Sequence, residues 1–293
     1  ENRSQLRVQS GTVSVLLDPF AVAFVQRALL GGALVAVVCA VVGTWVVLRG
    51  MAFLGEAMAH GMLPGIAIAT LTGFPPAAGA AVSAAVMSVG VGALQRRGRL
   101  SADTSIGLLF VASLSLGVIV ISASRSFATD ASAILFGDIL AIERGDLVLL
   151  AVAAAVTLLV AAAGHRSFVA LAVDPRQAQL LGLRPRLAHI LLVGLVTLAV
   201  VSAYQAVGSL LVVGMLLGPA VAAGAWTRRI VPTMALAAVI GTVSVAVGLI
   251  LSWHLGTAAG ATVAFTAICS GAVSTGIRAL IRPTRPTFDE RTA

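Results

Sequence analysis

"FAVAFVQRALLGGALVAVVCAVVGTWVVL" (residues 20–48) decides the class of fold. An apolar run of about 20 residues is long enough, as a helix, to cross a hydrocarbon layer ~30 Å thick. This run exceeds that length. It is too long for the core of a signal peptide and carries no evident cleavage site. Similar runs recur down the 293 residues, of which 59% are hydrophobic and only 10% charged. A soluble domain carries about 25% charged residues. Mean hydropathy is +1.06. Backbone groups in lipid must be satisfied within the segment, and the alternation of a β-barrel is absent. The expected fold is therefore all-α, a polytopic membrane helical bundle. Thirty glycines suit close helix contact.

The spans read as 20–48, 52–72, 75–94, 105–123, 146–164, 187–203, 206–226, 230–252 and 256–277. The second is short and interrupted by Pro64. The sixth and seventh are separated only by Tyr204 and Gln205, so eight or nine transmembrane helices are expected. The organisation is an N-terminal tail (1–19), one membrane domain (20–283) and a disordered C-terminal tail (284–293) with one proline and four charges in the last ten residues.

Charge sets the orientation. The net charge of +8 does not point to nucleic acid, because the basic residues cluster at the ends of apolar runs. "QRRGR" (95–99), "HRSFVALAVDPRQAQLLGLRPR" (165–186), "TRR" (227–229) and "RALIRPTRP" (278–286) alternate with arginine-poor "GFPPAAG" (73–79) and "WHLGTAAG" (253–260). The arginine-rich set belongs in the cytoplasm. Nine spans then leave the N-terminus outside, where Arg3 and Arg7 are in mild conflict with the rule. The longest external loop, 124–145, has room for a short helix. All nineteen basic residues are arginine. A Walker A phosphate loop requires lysine, so the chain has no ATPase site of that kind. Cys39 and Cys269 lie in apolar runs without metal or redox spacing and read as packing residues.

Two ionisable groups interrupt the second span in "GEAMAHGMLPG" (55–65): Glu56 and His60. At i and i+4 they share a helix face. Ionisable groups near the middle of a membrane cost about 2.5–3.5 kcal/mol on insertion scales and usually face a bundle interior or water path. One carboxylate oxygen and one imidazole nitrogen suit Zn²⁺ or Mn²⁺. Two ligands are too few for a closed site, which lets an ion leave again. The bland alternative is a hydrogen-bonded Glu–His pair that locks helix packing, or a pair near an interface that is simply wet. Met51, Met58 and Met62 nearby read as packing.

A second feature is "VDPRQAQLLGLRP" (173–185). Asp174 suits an N-cap, Pro175 a first turn and Gly182 a left-handed C-terminal position. Ala178, Leu180 and Leu181 supply an apolar side. A capped cytoplasmic helix of this kind can be gripped by a partner subunit or lie on lipid headgroups. Asp103 and Ser101 read as caps of the fourth span. His254, at an outer helix end, is either a solvated histidine or an aid to cation capture. Asp138 in "LFGDIL" either caps or turns an external segment or contacts metal. His165 and His189 flank the basic loop and are expected at the membrane interface.

In order and spacing, "VVLRGMAFLGEAMAHGMLPGIAIA" (46–69), "RLSADTSIGLLF" (99–110), "ILFGDILAI" (134–142), "DPRQAQLLGL" (174–183) and "VGSLLVVGMLLGPAVAA" (207–223) carry a resemblance over nearly the whole chain. The chain resembles the membrane permeases of ABC transporters for zinc, manganese and iron, the metal-specific type II importers. The resemblance implies a bacterial plasma-membrane protein and a homodimer with its pathway on the two-fold axis. It also implies two cytoplasmic ATP-binding subunits, an extracytoplasmic metal-binding protein, and no permanently bound cofactor. The family's acidic residue and histidine, usually Asp and His, fall on Glu56 and His60. The extra methylene of Glu56 moves the carboxylate. The family's coupling helix falls on 174–182, with Asp174, Pro175, Ala178 and Gly182. Two other classes compete. A proton-coupled secondary metal carrier would use Glu56 or His60 as a relay, but no inverted repeat is visible. An intramembrane metallohydrolase would need three protein ligands, and HExxH is absent.

Overall fold

The computed structural model describes residues 22–96, 101–123, 137, 139–173, 184–208 and 212–281. Among them are ten α-helices: α1 (Ala23–Leu48), α2 (Ala52–Gly61), α3 (Leu63–Thr72), α4 (Pro76–Arg96), α5 (Ala102–Ser122), α6 (Arg144–Val173), α7 (Pro185–Val207), α8 (Val212–Trp226), α9 (Ile230–Leu255) and α10 (Ala259–Ile281). With α2 and α3 taken as one span, eight segments are long and apolar enough to cross a membrane, and α8 is a shorter apolar helix. The segments expected at 124–136, Asp138, 174–183 and both tails lie outside the described residues. In the external connection, one 3-10 turn at Ile139–Ala141 is described.

The arginine-rich connections fall at alternate turns of the chain, as expected for successive spans of opposite direction. α1 runs through its centre. Val35, Ala36, Val38, Cys39, Val42, Trp45 and Val46 are all buried. α2–α3 is the other inner element, with Leu54, Met58, Met62 and Ile66 buried. The outer helices turn large apolar side chains outward, among them Val82, Val86 and Val89 on α4, Leu159 on α6 and Phe265 on α10. This is the pattern of a bundle solvated by hydrocarbon rather than water.

Tight crossings explain some of the glycines. Gly65 of α3 and Gly79 of α4 face each other so closely that a Cβ on either would collide with the carbonyl of the other. α8 is held similarly, with Gly43 of α1 against the Leu216 carbonyl and Gly218 against the Ala267 carbonyl of α10. Small residues at such crossings replace the hydrophobic drive that lipid cannot supply between helices. Many hydroxyls in the spans bond back to their own helix, as Thr44 does to the Ala40 carbonyl at 2.7 Å; Thr157 of α6 is buried without such a partner among the described residues.

The eight-or-nine question turns on Gly208. It ends α7 with φ 81° and ψ 158°, a conformation essentially reserved for glycine. α7 and α8 are therefore separate helices, and α8 starts at Val212 rather than 206. α6 extends to Val173, nine residues past the expected 164. His165 and Arg166 mark the approach to the headgroups, and the helix continues through them.

Candidate functional site

The second span is two helices. α2 ends at Gly61, and α3 begins at Leu63 with Pro64 in its first turn. Pro64 has no N–H, so the His60 carbonyl cannot receive its usual i+4 bond. The break is braced from α4, where the Ser83 hydroxyl donates to the Gly61 carbonyl at 2.7 Å.

Glu56 and His60 sit on α2 just before this break. His60 Nδ1 is 3.4 Å from Glu56 Oε1 and 3.2 Å from the Glu56 backbone carbonyl. The first distance is long for a hydrogen bond. Both neighbours of Nδ1 are acceptors, so a proton on Nδ1 is favoured; in the neutral ring this leaves the Nε2 lone pair for a ligand. The ring is held edge-on against Phe110 of α5, centroids 5.3 Å apart and planes at 77°. Phe53, two turns earlier on α2, touches the same Phe110 at 6.0 Å.

The two side chains differ in access. The His60 side chain is 10% exposed and that of Glu56 35%. At about 100° per residue, the neighbours of α2 map round its axis. Phe53 and His60 face α5. Gly61 faces Met87 of α4, and Met58 receives the Ser88 hydroxyl of the same helix at 3.5 Å. Ser88 in turn pairs with Thr197 of α7 at 2.9 Å. Gly55 faces Leu216 of α8. The remaining sector, between α8 and α5, holds Ala52 and Glu56, and both retain exposure. Among the described residues, the Glu56 side chain keeps about a third of its surface open on that side, while Ala59 in the same sector is buried.

Along the span, the pair lies toward one end. Counted from Ala52 at 1.5 Å per residue, Glu56 lies about 6 Å and His60 about 12 Å from the arginine-rich end. The pair is thus in that half of the span. Among the described residues, no third His, Cys, Asp or Glu joins it to form a metal-binding group.

The other sequence candidates are not gathered here. His254 is exposed in the last turn of α9, at the opposite end of the bundle, with Nδ1 2.8 Å from the Ile250 carbonyl. Asp138, Asp174, Pro175, Ala178 and Gly182 lie outside the described residues. Ser101 does cap α5, accepting the Thr104 N–H at 3.1 Å. Asp103 stands exposed in the first turn, where its charge complements the helix dipole. His165 and His189 are both partly buried between helices rather than lying free at the interface. Phe110 and Ser83 escaped the sequence reading, since each reaches the site from another helix. Phe53 could have been found, because it sits seven residues before His60 on the same face.

Comparison with known proteins agrees with this architecture. The model of the ABC 3 transport family matches residues 21–274. The manganese transport system membrane protein MntC of Listeria monocytogenes is 36% identical over 244 residues, covering 83% of this chain and 87% of the relative. The chelated iron transport system membrane protein YfeD of Yersinia pestis is 33% identical over 249 residues, covering 84% and 83%. The solved structure of PsaBC from Streptococcus pneumoniae in complex with Fab superposes with a TM-score of 0.81 at 30% identity, over 92% of this chain and 96% of that one. The chain belongs to the ABC 3 transport family and is a multi-pass protein of the bacterial inner membrane.

Proposed function

We propose that this chain is the permease subunit of an ATP-driven importer of a divalent transition metal, with Mn²⁺ as the substrate. The observation that carries this reading is the part-exposed Glu56 carboxylate beside the buried His60, in a sector of α2 that the described helices leave partly open. A carboxylate turned to lipid would be costly. A second copy of the chain facing it across a two-fold axis would turn that sector into a lined pathway. Two Glu56/His60 pairs then offer up to four protein ligands, oxygen from Glu56 and Nε2 from His60. Mixed oxygen and nitrogen donors suit Mn²⁺ and also accept Zn²⁺. The manganese relatives favour the former.

In this proposal the ion pauses at the pair and leaves because neither copy alone completes a coordination shell. Two separate ATP-binding subunits supply the energy through residues 174–182, with Asp174, Pro175, Ala178 and Gly182 as the coupling positions. An extracytoplasmic metal-binding protein delivers the ion. His254 and Asp138 remain the candidates for the outer mouth, and no resident cofactor is needed. The break after Gly61 adds support, since interrupted membrane helices are where other transporters expose backbone carbonyls to cations.

The test is manganese uptake into vesicles containing the chain with its ATP-binding subunits. Glu56→Ala and His60→Ala should each reduce uptake by at least about tenfold, the lower bound expected when a metal site loses a supporting group. The dimer should persist in both variants. Uptake that survives both changes removes the site. Uptake that follows a proton gradient without ATP favours the carrier alternative.

A further inference from the structure

The arginine-rich ends of α1, α6 and α7 meet in a corner that the metal site does not use. Trp45 lies in the last turn of α1 and is completely buried. Phe168 and His165 of α6 pack against its ring, at centroid distances of 5.5 and 5.8 Å. The indole Nε1 is buried and has no acceptor among the described residues. One turn on, Arg49 caps α1, and its Nη1 is also buried without an acceptor. His189 of α7 lies within electrostatic range of Arg49. Burial lowers the Arg49 pKa from its ordinary value, as expected for a cation that has lost water without gaining a counter-charge.

The chemistry of the missing group follows from these donors. Indole N–H and guanidinium donate and never accept. Water could satisfy the indole but would not balance the charge. The complement is an anion with several acceptor oxygens, and guanidinium geometry suits phosphate. Position then selects the source. α1 ends at Leu48, so Arg49 stands where the hydrocarbon ends and headgroups begin. The flank at the end of α1 beside Arg49 is apolar and open, with Leu48 51% exposed. A soluble phosphate would gain nothing from that flank, whereas acyl chains would cover it.

We propose that the Trp45–Arg49–His189 corner is a binding site for the phosphate of an anionic phospholipid of the cytoplasmic leaflet. Basic pockets between helices on that side of a membrane are suited to such headgroups. The lipid would tie α1, α6 and α7 together at the end where α2 begins.

The experiment uses the full chain purified in a neutral detergent. Thermal unfolding is followed while phosphatidylglycerol, phosphatidylcholine or inorganic phosphate is added. Phosphatidylglycerol should stabilise the protein at about tenfold lower concentration than phosphatidylcholine, the scale of one charge-assisted hydrogen bond. Arg49→Gln should erase that preference, and Arg49→Lys should restore part of it. Should Arg49→Gln fail to fold, Trp45→Phe removes the N–H together with part of the ring; the comparison of the two lipids on that same variant cancels the packing loss, and the preference should narrow several-fold. Equal response to the two lipids, or a preference unchanged in Arg49→Gln or in Trp45→Phe, overturns the proposal. Saturation by inorganic phosphate alone overturns the lipid assignment and makes the corner a free-anion site.

Discussion

Glu56 lies seven positions after Arg49, yet the surroundings of these two charged groups are opposite in kind. The corner at the end of α1 collects N–H donors, and two of them have no acceptor among the described residues. The pair on α2 presents lone pairs, from a carboxylate and from the free nitrogen of a histidine whose other nitrogen faces two acceptors. The first environment suits an anion, the second a cation. Their exposure differs too. Trp45 is sealed by α6, whereas Glu56 looks out of the chain. The difference separates a group that anchors the bundle from one that an ion must reach and leave.

The largest effect expected from breaking this contrast is at Glu56. Glu56→Gln keeps shape and removes charge, so manganese uptake should fall by at least about tenfold. The response to phosphatidylglycerol should stay as in the unaltered chain. Arg49→Gln should do the reverse, with lipid preference lost and metal selectivity retained. If Glu56→Gln also abolished the lipid response, the two sites would be one coupled unit, and the contrast between them would fail.

Next in size is the packing that keeps the two sites in place. Gly79→Val would drive a branched side chain into the Gly65 carbonyl across the α3–α4 crossing. Backbone cannot yield as a side-chain end can, so a loss of about 3 kcal/mol of stability is expected, at the upper end for overpacking. Thermal unfolding in detergent reads it. Gly92, on the same helix with open space around it, serves as the control: Gly92→Ala should cost nothing measurable there and gain a little from helix propensity. Equal destabilisation by both would mean that the α3–α4 contact is not specific.

What could be read from the chain beforehand follows a physical divide. Apolar length and arginine placement depend on the membrane as solvent and act locally, so the spans and their alternation were legible. Ala52–Thr72 matches its expected limits. The error at α6 arises because His165 and Arg166 signal where hydrocarbon ends, which is not where a helix must end. The site was half legible. Glu56 and His60 announce themselves as ionisable groups on one face of an apolar helix. Their tautomer, their unequal exposure and the partly open sector depend on α4, α5 and α8 packing round α2. No local pattern carries that information. The donor corner was hidden for the same reason, since Trp45 and Arg49 look like ordinary interfacial anchors until α6 closes over the indole.

The smallest expected effect concerns the break that joins these ideas. Pro64 removes the i+4 donor of the His60 carbonyl, which takes the Met62 N–H instead, and Ser83 supplies a hydroxyl to the next carbonyl, that of Gly61. Ser83→Ala removes the donor without adding bulk. A single neutral hydrogen bond contributes about 1 kcal/mol, so the stability change should be of that size. If the bond only holds α4 to α2, nothing else should change. If it sets the angle at which α2 presents His60 to the pathway, manganese uptake should show a raised KM with little change in maximal rate. Ser83→Thr, which keeps the hydroxyl, should restore the KM. A KM unmoved by Ser83→Ala would confine the brace to packing and leave Phe110 as the contact that positions the His60 ring.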